Sequence, residues 1–344
     1  MKEFMEKYMR RCLEIASSAE GLTAPNPMVG ALLVCEGRII SEGKHAFYGA
    51  SHAEPEAISK VKDVELLKKS ILYVNLEPCC HYGKTPPCTE KIIAAGIPYV
   101  VVAALDTSSK INGKGIKILN DAGIKTDVGI LEKEARELNR FFYTYHEKKR
   151  PYILLKWAQT PDGFIDSDRT TPQTPPVKIS NHATQIVDHH HRSQYQAIMV
   201  GTNTIIMDNP SLTTRCWYGK NPLRITIDRH GKLNGNYNIF NHDAKSLVFT
   251  TSPADYGYAE VIVNNSIDVE YITGVLFEKK IQSLIVEGGT QLIESFIRAN
   301  LWDEAMIFIG DFPLKKGVKA PVLNNDAVLR ETLLSNKLCK IYNS

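Results

Sequence analysis

The stretch from His52 to Cys88 decides how the first half of the chain is organised. It begins with His-Ala-Glu (52–54) and ends with Glu-Pro-Cys-Cys-His-Tyr-Gly-Lys-Thr-Pro-Pro-Cys (77–88). One imidazole and two thiolates can hold Zn²⁺ and leave its fourth position to a water, whose pKa the metal lowers towards ~7. A structural zinc site would close all four positions with protein ligands. Because Glu54 is available to carry protons, the pattern indicates a catalytic metal centre.

The spacing of the cysteines identifies the ligands. The usual signature closes as Pro-Cys-x-x-Cys, but position 82 is a tyrosine, and Cys88 is the next thiol that could close the site. Cys80 competes for the metal, although adjacent cysteines rarely fit two corners of one tetrahedron. We therefore predict His52, Cys79 and Cys88 as ligands of one Zn²⁺ per chain, with Glu54 as the catalytic proton carrier. A zinc-binding scaffold without activity is the alternative.

Composition limits the class of protein. The 344 residues are enough for two domains, and the net charge of +3, without a clustered basic stripe, argues against a nucleic-acid partner. The odd number of cysteines, 7, argues against a disulfide framework and for a reducing compartment. No segment resembles a signal peptide or a membrane span. We expect a cytoplasmic protein with no membrane partner, and a homo-oligomer.

The first half alternates helices and strands. The pattern predicts an amphipathic N-terminal helix over residues 1–20, a hairpin around Glu36-Gly37 and a helix from His52 towards Leu67. It then predicts a strand at 71–76, a helix at 89–95, a strand at 99–105 and a helix at 131–149. The charged segment before Pro151 indicates a domain boundary, which we place between residues 147 and 148.

The second half restarts with a strand and predicts a parallel-rich α/β domain. Strands are expected at 152–158, 197–200, 223–228, 247–250, 283–286 and 305–309, and helices at 181–195 and 291–299. The run of histidines at 189–191 is interpreted as a polar helix face, since consecutive residues point in different directions around a helix. Gly288-Gly289, between a strand and a helix, suit a phosphate, although half of such sites are simple turns.

With these motifs in place, the sequence resembles the bifunctional deaminase/reductase family of riboflavin biosynthesis from about residue 5 to 320. The matching segments are Pro-Asn-Pro-Met-Val-Gly (25–30), 52–54, 77–88, Lys156, Ala158, Asp-Gly (162–163), Val-Gly-Thr-Asn-Thr (200–204), Asp-Asn-Pro-Ser-Leu-Thr-Thr-Arg (208–215) and Glu-Gly-Gly (287–289). The resemblance implies an α/β chain of two domains: a cytidine-deaminase-like three-layer domain (1–147) and a dihydrofolate-reductase-like domain (148–344).

The resemblance also implies two reactions on one phosphoribosyl-pyrimidine. The zinc-dependent domain would hydrolytically deaminate 2,5-diamino-6-(5-phosphoribosylamino)pyrimidin-4(3H)-one to 5-amino-6-(5-phosphoribosylamino)uracil. The second domain would use NADPH to reduce the ribosyl chain, giving 5-amino-6-(5-phosphoribitylamino)uracil. The extra phosphate of NADPH needs a cation, and Arg229, which follows a predicted strand, is our choice for it.

Matching positions supply the remaining site residues. The deaminase substrate would contact Asn26, His45, Lys84 and Thr85. The reductase substrate would contact Arg192, Leu212, Arg215 and Glu287, and the two arginines would converge on the sugar phosphate. The cofactor would contact Ala158, Thr204, Asp208, Gly288, Gly289 and Thr290. Lys156 or Asp208 would supply the catalytic proton for the reduction.

The sequence departs from the family pattern in three places. Thr107-Ser108-Ser109 follow Asp106 where the family has Pro-Asn-Pro, and Pro176 and Lys178 stand where it has a Ser-x-Trp pair. Arg229 stands where the family often has a small polar residue. Two further readings stay open: a base deaminase of tRNA or DNA with a nucleic-acid module, and an active deaminase beside a degenerate reductase domain.

Overall fold

The computed structural model describes residues 2–82, 86–108, 111–324 and 329–343. Its internal packing divides the chain into two units, Met1–Lys149 and Arg150–Ser344. This division falls two residues after the boundary we predicted at 147/148. Each unit contains its own sheet and core. Among the described residues, no helix is both long and apolar enough to span a membrane.

The first unit is built on a five-stranded mixed sheet. Its strands are β1 (Gly30–Cys35), β2 (Arg38–Lys44), β3 (Ser70–Leu76), β4 (Tyr99–Ala104) and β5 (Lys125–Val128). The strand order is β2-β1-β3-β4-β5. The hairpin partners β1 and β2 are antiparallel, as are β1 and β3, whereas β3, β4 and β5 run parallel. The helices are α1 (Lys2–Ser17), α2 (Ala53–Ser59), α3 (Val64–Leu67), α4 (Cys88–Ala94), α5 (Lys114–Asp121), α6 (Glu132–Leu138) and α7 (Arg140–Lys148).

The sheet is covered by helices on both faces, as the predicted three-layer domain requires. Alternate residues of β1 take part in different cores: Leu32 and Val34 pack with α1, α6 and α7, and Ala31 and Leu33 pack with α2 to α5. This alternation follows from the two-residue period of a strand. Because both faces are buried, the central strands read in the sequence as continuous apolar runs.

Two helices predicted in this unit are each broken. The helix expected from His52 towards Leu67 ends at Ser59, and α3 is a separate turn capped by Asp63. The helix expected over 131–149 breaks at Asn139, which lies between α6 and α7. The Asn139 side chain is engaged elsewhere: its Oδ1 accepts the Met28 N–H (2.8 Å) and its Nδ2 donates to the Met28 carbonyl (2.9 Å). The α5 and β5 elements were not predicted.

The second unit contains a nine-stranded sheet. Its elements are β6 (Tyr152–Gln159), β7 (Phe164–Asp166), α8 (His182–Gln194), β8 (Ala197–Val200), α9 (Thr202–Asp208), β9 (Leu223–Asp228), a 3₁₀ turn (Asn238–Phe240), β10 (Ser246–Thr250), β11 (Glu260–Val263), α10 (Val269–Glu278), β12 (Ser283–Glu287), α11 (Thr290–Arg298), β13 (Glu304–Ile309), β14 (Val318–Lys319), β15 (Leu329–Leu333) and β16 (Asn336–Tyr342). The strand order is β11-β10-β9-β8-β12-β6-β13-β16-β15, and β7 pairs with β14 in a separate small sheet.

The parallel part of this sheet determines where a site can form. The strands from β11 to β13 are parallel to their neighbours, and only β16 and β15 are antiparallel additions. The carboxyl ends of β6, β8, β9 and β12 therefore meet at one edge, where open α/β sheets bind their ligands. The parallel-rich prediction is confirmed, whereas β11, α10 and the β15–β16 hairpin were not predicted.

Candidate active sites

The three predicted zinc ligands converge in the first unit. His52 directly precedes α2, Cys79 follows β3, and Cys88 is the first residue of α4. The His52 Nδ1 lies 3.2 Å from the Cys88 Sγ and 3.5 Å from the Cys79 Sγ. Ordinary Zn–N and Zn–S bonds at a tetrahedral angle separate such atoms by about 3.5 Å. The donor set and its spacing therefore fit Zn²⁺.

The sulfur of Cys79 is held in the form that binds metal. Its pKa is lowered to about 4, chiefly by the hydrogen bond with the Cys88 thiol and further by His52 and the Cys88 backbone N–H. A thiolate is the metal-binding form of cysteine. Cys80 lies outside the group of possible ligands, which contains His52, Cys79 and Cys88 among the described residues.

Glu54 lies beside these ligands in the first turn of α2. Its side chain is buried, and burial together with the negative charge of Cys79 raises its pKa to about 7. A carboxyl group with such a pKa can accept and release a proton near neutral pH. The position suits the proton carrier that the sequence predicts.

Asn26 and His45 form a hydrogen-bonded pair close to the metal ligands. The His45 Nδ1 donates to the Ser51 carbonyl (3.0 Å), which leaves its Nε2 to accept a hydrogen bond from the Asn26 Nδ2 (3.1 Å). Burial lowers the pKa of His45, which favours the neutral ring that this pair of hydrogen bonds requires. Its ring centroid is 5.6 Å from that of His52. The predicted substrate residues Lys84 and Thr85 lie outside the described part of the chain.

Glu77 anchors the segment that carries Cys79. This buried carboxylate accepts hydrogen bonds from the backbone N–H groups of Asp106, Gly113, Gly115 and Ile116. A Cβ atom at Gly115 would come within 2.3 Å of the Pro78 carbonyl oxygen, so only glycine allows α5 to approach this closely. In the sequence, Glu77 is recognisable only as part of the Glu-Pro-Cys motif. A carboxylate at the end of a buried strand was the available signal for this anchoring role.

In the second unit, a cavity of about 270 Å³ opens at the carboxyl edge of the parallel strands. Seven predicted site residues line it: Lys156, Ala158, Thr204, Asp208, Glu287, Gly288 and Gly289. The lining residues that the sequence analysis missed include Trp157, Ile165, Asp166, Arg169, Asn203 and Met207. Pro176, one of the departures from the family pattern, also faces this cavity.

Four buried charges meet at the base of this cavity. The Lys156 Nζ lies 2.9 Å from the Asp188 Oδ1 and 3.6 Å from the Glu287 Oε1. The Arg192 Nη2 lies 3.1 Å from the Asp188 Oδ2 and 3.0 Å from the Glu287 Oε2. Burial opposes the charge of Asp188, but the two cations outweigh it and lower its pKa, whereas burial raises the pKa of Glu287. We call these four residues the charge cluster; Asp188 was not predicted.

Asp208 lies in a second ion-pair group at the rim. The Arg169 Nη2 is 2.5 Å from the Asp208 Oδ1, and its Nε is 2.6 Å from the Asp166 Oδ2. Arg169 thus bridges α9 and β7. The Asp208 carboxylate is thereby engaged as an acceptor of the Arg169 guanidinium.

The loop after β12 brings bare backbone to the cavity. Gly288 has φ +102°, and a Cβ atom there would lie 2.7 Å from the Thr204 Oγ1. Glycine therefore lets this loop pack against α9 without a side chain between them. The free N–H groups at the start of α11 follow directly. An open backbone beside a helix start fits a phosphorylated cofactor such as NADPH.

The other predicted reductase residues lie outside the cavity lining. Leu212 is buried with φ +54°, Arg215 is exposed, and the Thr290 Oγ1 donates to the Lys319 carbonyl. The guanidinium of Arg192 is buried against Asp188 and Glu287, so the expected convergence of two free arginines on one phosphate is not seen. Arg229 is exposed at the end of β9 and donates to the Ile267 carbonyl.

The polar-face interpretation of the histidine run is wrong for His189. This residue is buried, and its Nδ1 accepts a hydrogen bond from the Arg215 N–H (2.9 Å). Burial, together with the charge of Arg192, lowers its pKa to about 4. His189 thus holds the backbone of a predicted substrate residue, and the pattern of α8 gave no signal for it.

Comparison with known proteins agrees with both halves of the chain. Residues 2–104 match the cytidine and deoxycytidylate deaminase zinc-binding region, and residues 151–341 match the RibD C-terminal domain. The riboflavin biosynthesis protein RibD of Aquifex aeolicus is 38% identical over 92% of this chain and 90% of its own length. That of Bacillus amyloliquefaciens is 35% identical over 92% of this chain and 87% of its own length.

Solved structures show the same architecture along the whole chain. The diaminohydroxyphosphoribosylaminopyrimidine deaminase/5-amino-6-(5-phosphoribosylamino)uracil reductase of Thermotoga maritima superposes with a TM-score of 0.91 at 35% identity, covering 100% of this chain and 99% of that chain. Acinetobacter baumannii RibD gives a TM-score of 0.90 at 26% identity, with 100% of both chains covered. From the matched domains, the full-length relatives and the shared fold, we conclude that this chain belongs to the RibD family of riboflavin biosynthesis proteins.

Proposed function

We propose that this chain catalyses two reactions of riboflavin biosynthesis. The first is hydrolytic deamination of 2,5-diamino-6-(5-phosphoribosylamino)pyrimidin-4(3H)-one to 5-amino-6-(5-phosphoribosylamino)uracil. The second is NADPH-dependent reduction of that product to 5-amino-6-(5-phosphoribitylamino)uracil. The observation that carries this proposal is the convergence of His52, Cys79 and Cys88 beside a buried Glu54. It occurs in a chain similar, over its whole length, to a Thermotoga maritima protein named for both activities.

The deaminase site uses Glu54 to move protons. Zn²⁺ held by His52, Cys79 and Cys88 would make a water molecule nucleophilic at neutral pH. Glu54 accepts the proton that this water loses and delivers protons to the ring nitrogen and to the leaving amine, so that ammonia departs and a carbonyl forms. The Asn26–His45 pair offers an amide to the pyrimidine edge, and the hydrogen bond that the His45 Nδ1 donates to the Ser51 carbonyl fixes the His45 ring.

The reductase site needs one hydride and one proton. NADPH, when bound, would supply the hydride to the carbon of the ring-opened sugar, and the atom that gains the electron pair would take its proton from a side chain of the cavity. Of the two predicted proton donors, the geometry favours Lys156. Its ammonium has three donor hydrogens, of which two face Asp188 and Glu287. The third is available to the cavity, whereas Asp208 is a carboxylate paired with Arg169.

Product analysis tests the proposal directly. The purified protein is incubated with the diaminopyrimidine ribotide, with and without NADPH, and products are identified by mass. Deamination replaces NH by O, and reduction adds two hydrogens, so each product has its own mass. A deaminated but unreduced product in the presence of NADPH would support the degenerate-reductase reading instead. Unchanged substrate in both arms would overturn the proposal.

Two variants separate the sites. Glu54→Gln is expected to lower deamination by about 10²–10⁴-fold, the usual contribution of a positioned proton carrier, and to leave reduction of deaminated substrate unchanged. Its matched control is Glu56→Gln, because Glu56 lies on the same turn of α2 but pairs with Lys60. Lys156→Met is expected to lower reduction alone, with the exposed Lys337→Gln as control. Equal loss of both activities in either variant would contradict separate sites.

Three further predictions belong with this proposal. The supporting observation for Arg229 as the NADPH phosphate partner is its place at the carboxyl edge of the parallel sheet, at the end of β9. Arg229→Ala should then weaken the binding of NADPH more than that of NADH, and an unchanged ratio of the two affinities would refute the assignment.

The homo-oligomer and the cytoplasmic location rest on the sequence alone. Light scattering after size-exclusion chromatography tests the first, and cell fractionation tests the second.

A further inference from the structure

The charge cluster contains two members that line the cavity and two that lie behind it. Lys156 and Glu287 are part of the cavity lining, whereas Asp188 and Arg192 are not. Asp188 and Arg192 are one turn apart on α8, so both project from the same face of that helix towards β6 and β12. All four side chains are 9–12% exposed. Asp188 and Arg192 thus lie behind Lys156 and Glu287 and contact them from the side away from the cavity.

Each carboxylate of this cluster contacts both cations, which closes a ring of four ion pairs. The shortest link to Lys156 comes from Asp188 (2.9 Å), and the link from Glu287 is longer (3.6 Å). The Asp188 Oδ1 and the Glu287 Oε1 face the Lys156 ammonium, and the two carboxyl groups also interact with each other. A lysine ammonium is a point charge on a flexible four-carbon stem, so its position depends on its partners. Asp188 is the main constraint on the Lys156 ammonium.

We propose that Asp188 is a positioning residue of the reductase: it fixes the Lys156 ammonium at the cavity and holds Arg192 against Glu287 without touching substrate or cofactor. This inference rests on the proposed reductase function and on Lys156 as its proton donor. Without Asp188, the one ion pair left to Lys156 within the described part of the chain is the longer one with Glu287, and the cluster then has two cations but a single carboxylate. The proton donor would then be displaced, and a displacement of about 1 Å can cost about 10²-fold in rate.

A double-mutant cycle in the full chain tests the inference. Asp188→Asn keeps the shape of the side chain and removes its charge, and Lys156→Met removes the ammonium. Reduction of the deaminated substrate is followed with NADPH under saturating conditions. We expect Asp188→Asn to lower kcat by about 10²-fold in the wild-type background. In the Lys156→Met background, Asp188→Asn should lower kcat little further, because a residue that acts through Lys156 then has no ammonium to position.

Two measurements distinguish positioning from a purely structural role. The Kd of NADPH, measured by fluorescence, should stay unchanged in Asp188→Asn, since Asp188 does not line the cavity. Asp188→Glu retains the charge but moves it by one methylene, so it should fold like the wild type and still lose kcat. Wild-type kcat in Asp188→Glu would overturn the inference even if Asp188→Asn failed to fold. Asp255→Asn, an exposed aspartate of the same unit, is the control.

The outcomes also separate this inference from the function on which it rests. If Lys156→Met reduces substrate normally, the proposed proton donor is wrong and the inference fails with it. If Lys156→Met is impaired while Asp188→Asn has the wild-type kcat, the function stands and the inference alone fails. If Asp188→Asn lowers kcat by the same factor in both backgrounds, Asp188 acts independently of Lys156, and this result would also overturn the inference.

Discussion

Neighbouring residues of α8 have separate tasks at the residue scale. Asp188 pairs with two cations, and His189 accepts the backbone N–H of Arg215. Neither role could be predicted, because α8 carries polar residues all around and the sequence does not reveal which face is buried. The convergence of His52, Cys79 and Cys88 could be predicted, since their residue types and spacing form a recognisable motif. Lys156 and Glu287 needed the family resemblance.

The buried His189 makes the stability of the second unit depend on pH. Its pKa falls from 6.5 to about 4 on folding, so between these values the unfolded chain binds more protons than the folded chain. Above pH 6.5, His189 is neutral in both the folded and the unfolded chain, and its contribution to the free energy of unfolding is complete. This contribution is lost as the pH falls towards 4. We expect His189→Gln, whose amide oxygen can accept the same N–H but cannot titrate, to flatten this dependence.

The measurement is denaturant unfolding of the wild type and of His189→Gln at several pH values between 4 and 7. The slope of unfolding free energy against pH should be smaller for His189→Gln than for the wild type in this window. Substitution of the exposed His230 by glutamine is the control, since it should keep the wild-type slope. Identical slopes for His189→Gln and the wild type would show that His189 does not titrate as inferred.

At the scale of elements, the accuracy of prediction depended on burial. The central strands were located correctly because they are continuous apolar runs. Of the missed strands in the two main sheets, β5, β11 and β15 are edge strands with much of their surface exposed, whereas β16 lies between β13 and β15 and mixes buried with exposed residues. An edge strand carries polar residues that read as loop in the sequence. The break between α6 and α7 was missed for another reason: the bonds of Asn139 to Met28 join positions far apart in the chain.

The junction between α6 and α7 should therefore support the deaminase site. Asn139→Ala removes the acceptor of the Met28 N–H, while the Met28 carbonyl keeps its bond from Asn75. Leaving that donor without a partner should cost about 1–3 kcal/mol of unfolding free energy. Because Met28 is two residues from Asn26, KM of the deaminase substrate should also rise. The measurements are chemical denaturation and steady-state deamination, with the exposed Asn120→Ala as control. Unchanged stability and KM would refute the role.

At the scale of the whole molecule, the division into two units predicts that metal removal affects one activity. A chelator should abolish deamination, added Zn²⁺ should restore it, and reduction of deaminated substrate should continue. Loss of bound metal should also lower the melting temperature of the first unit, since a ligand that binds only the folded state stabilises it. Metal analysis should find zinc in Cys80→Ser but not in Cys88→Ser. The opposite result would refute the ligand assignment, and chelator loss of both activities would refute their independence.

The neutral charge cluster also limits how the sequences of this family can diverge. Replacing one member leaves an uncompensated buried charge, which costs about 3–5 kcal/mol, whereas replacing a pair by well-packed apolar residues is often neutral. Substitutions in the charge cluster should therefore occur in pairs during evolution. Lys156 and Asp188 should be gained or lost together across relatives. A relative that retains the lysine without an acid at the position of Asp188 should carry a new acidic neighbour from another element. We therefore expect the four positions to be inherited together, which an alignment of relatives would test.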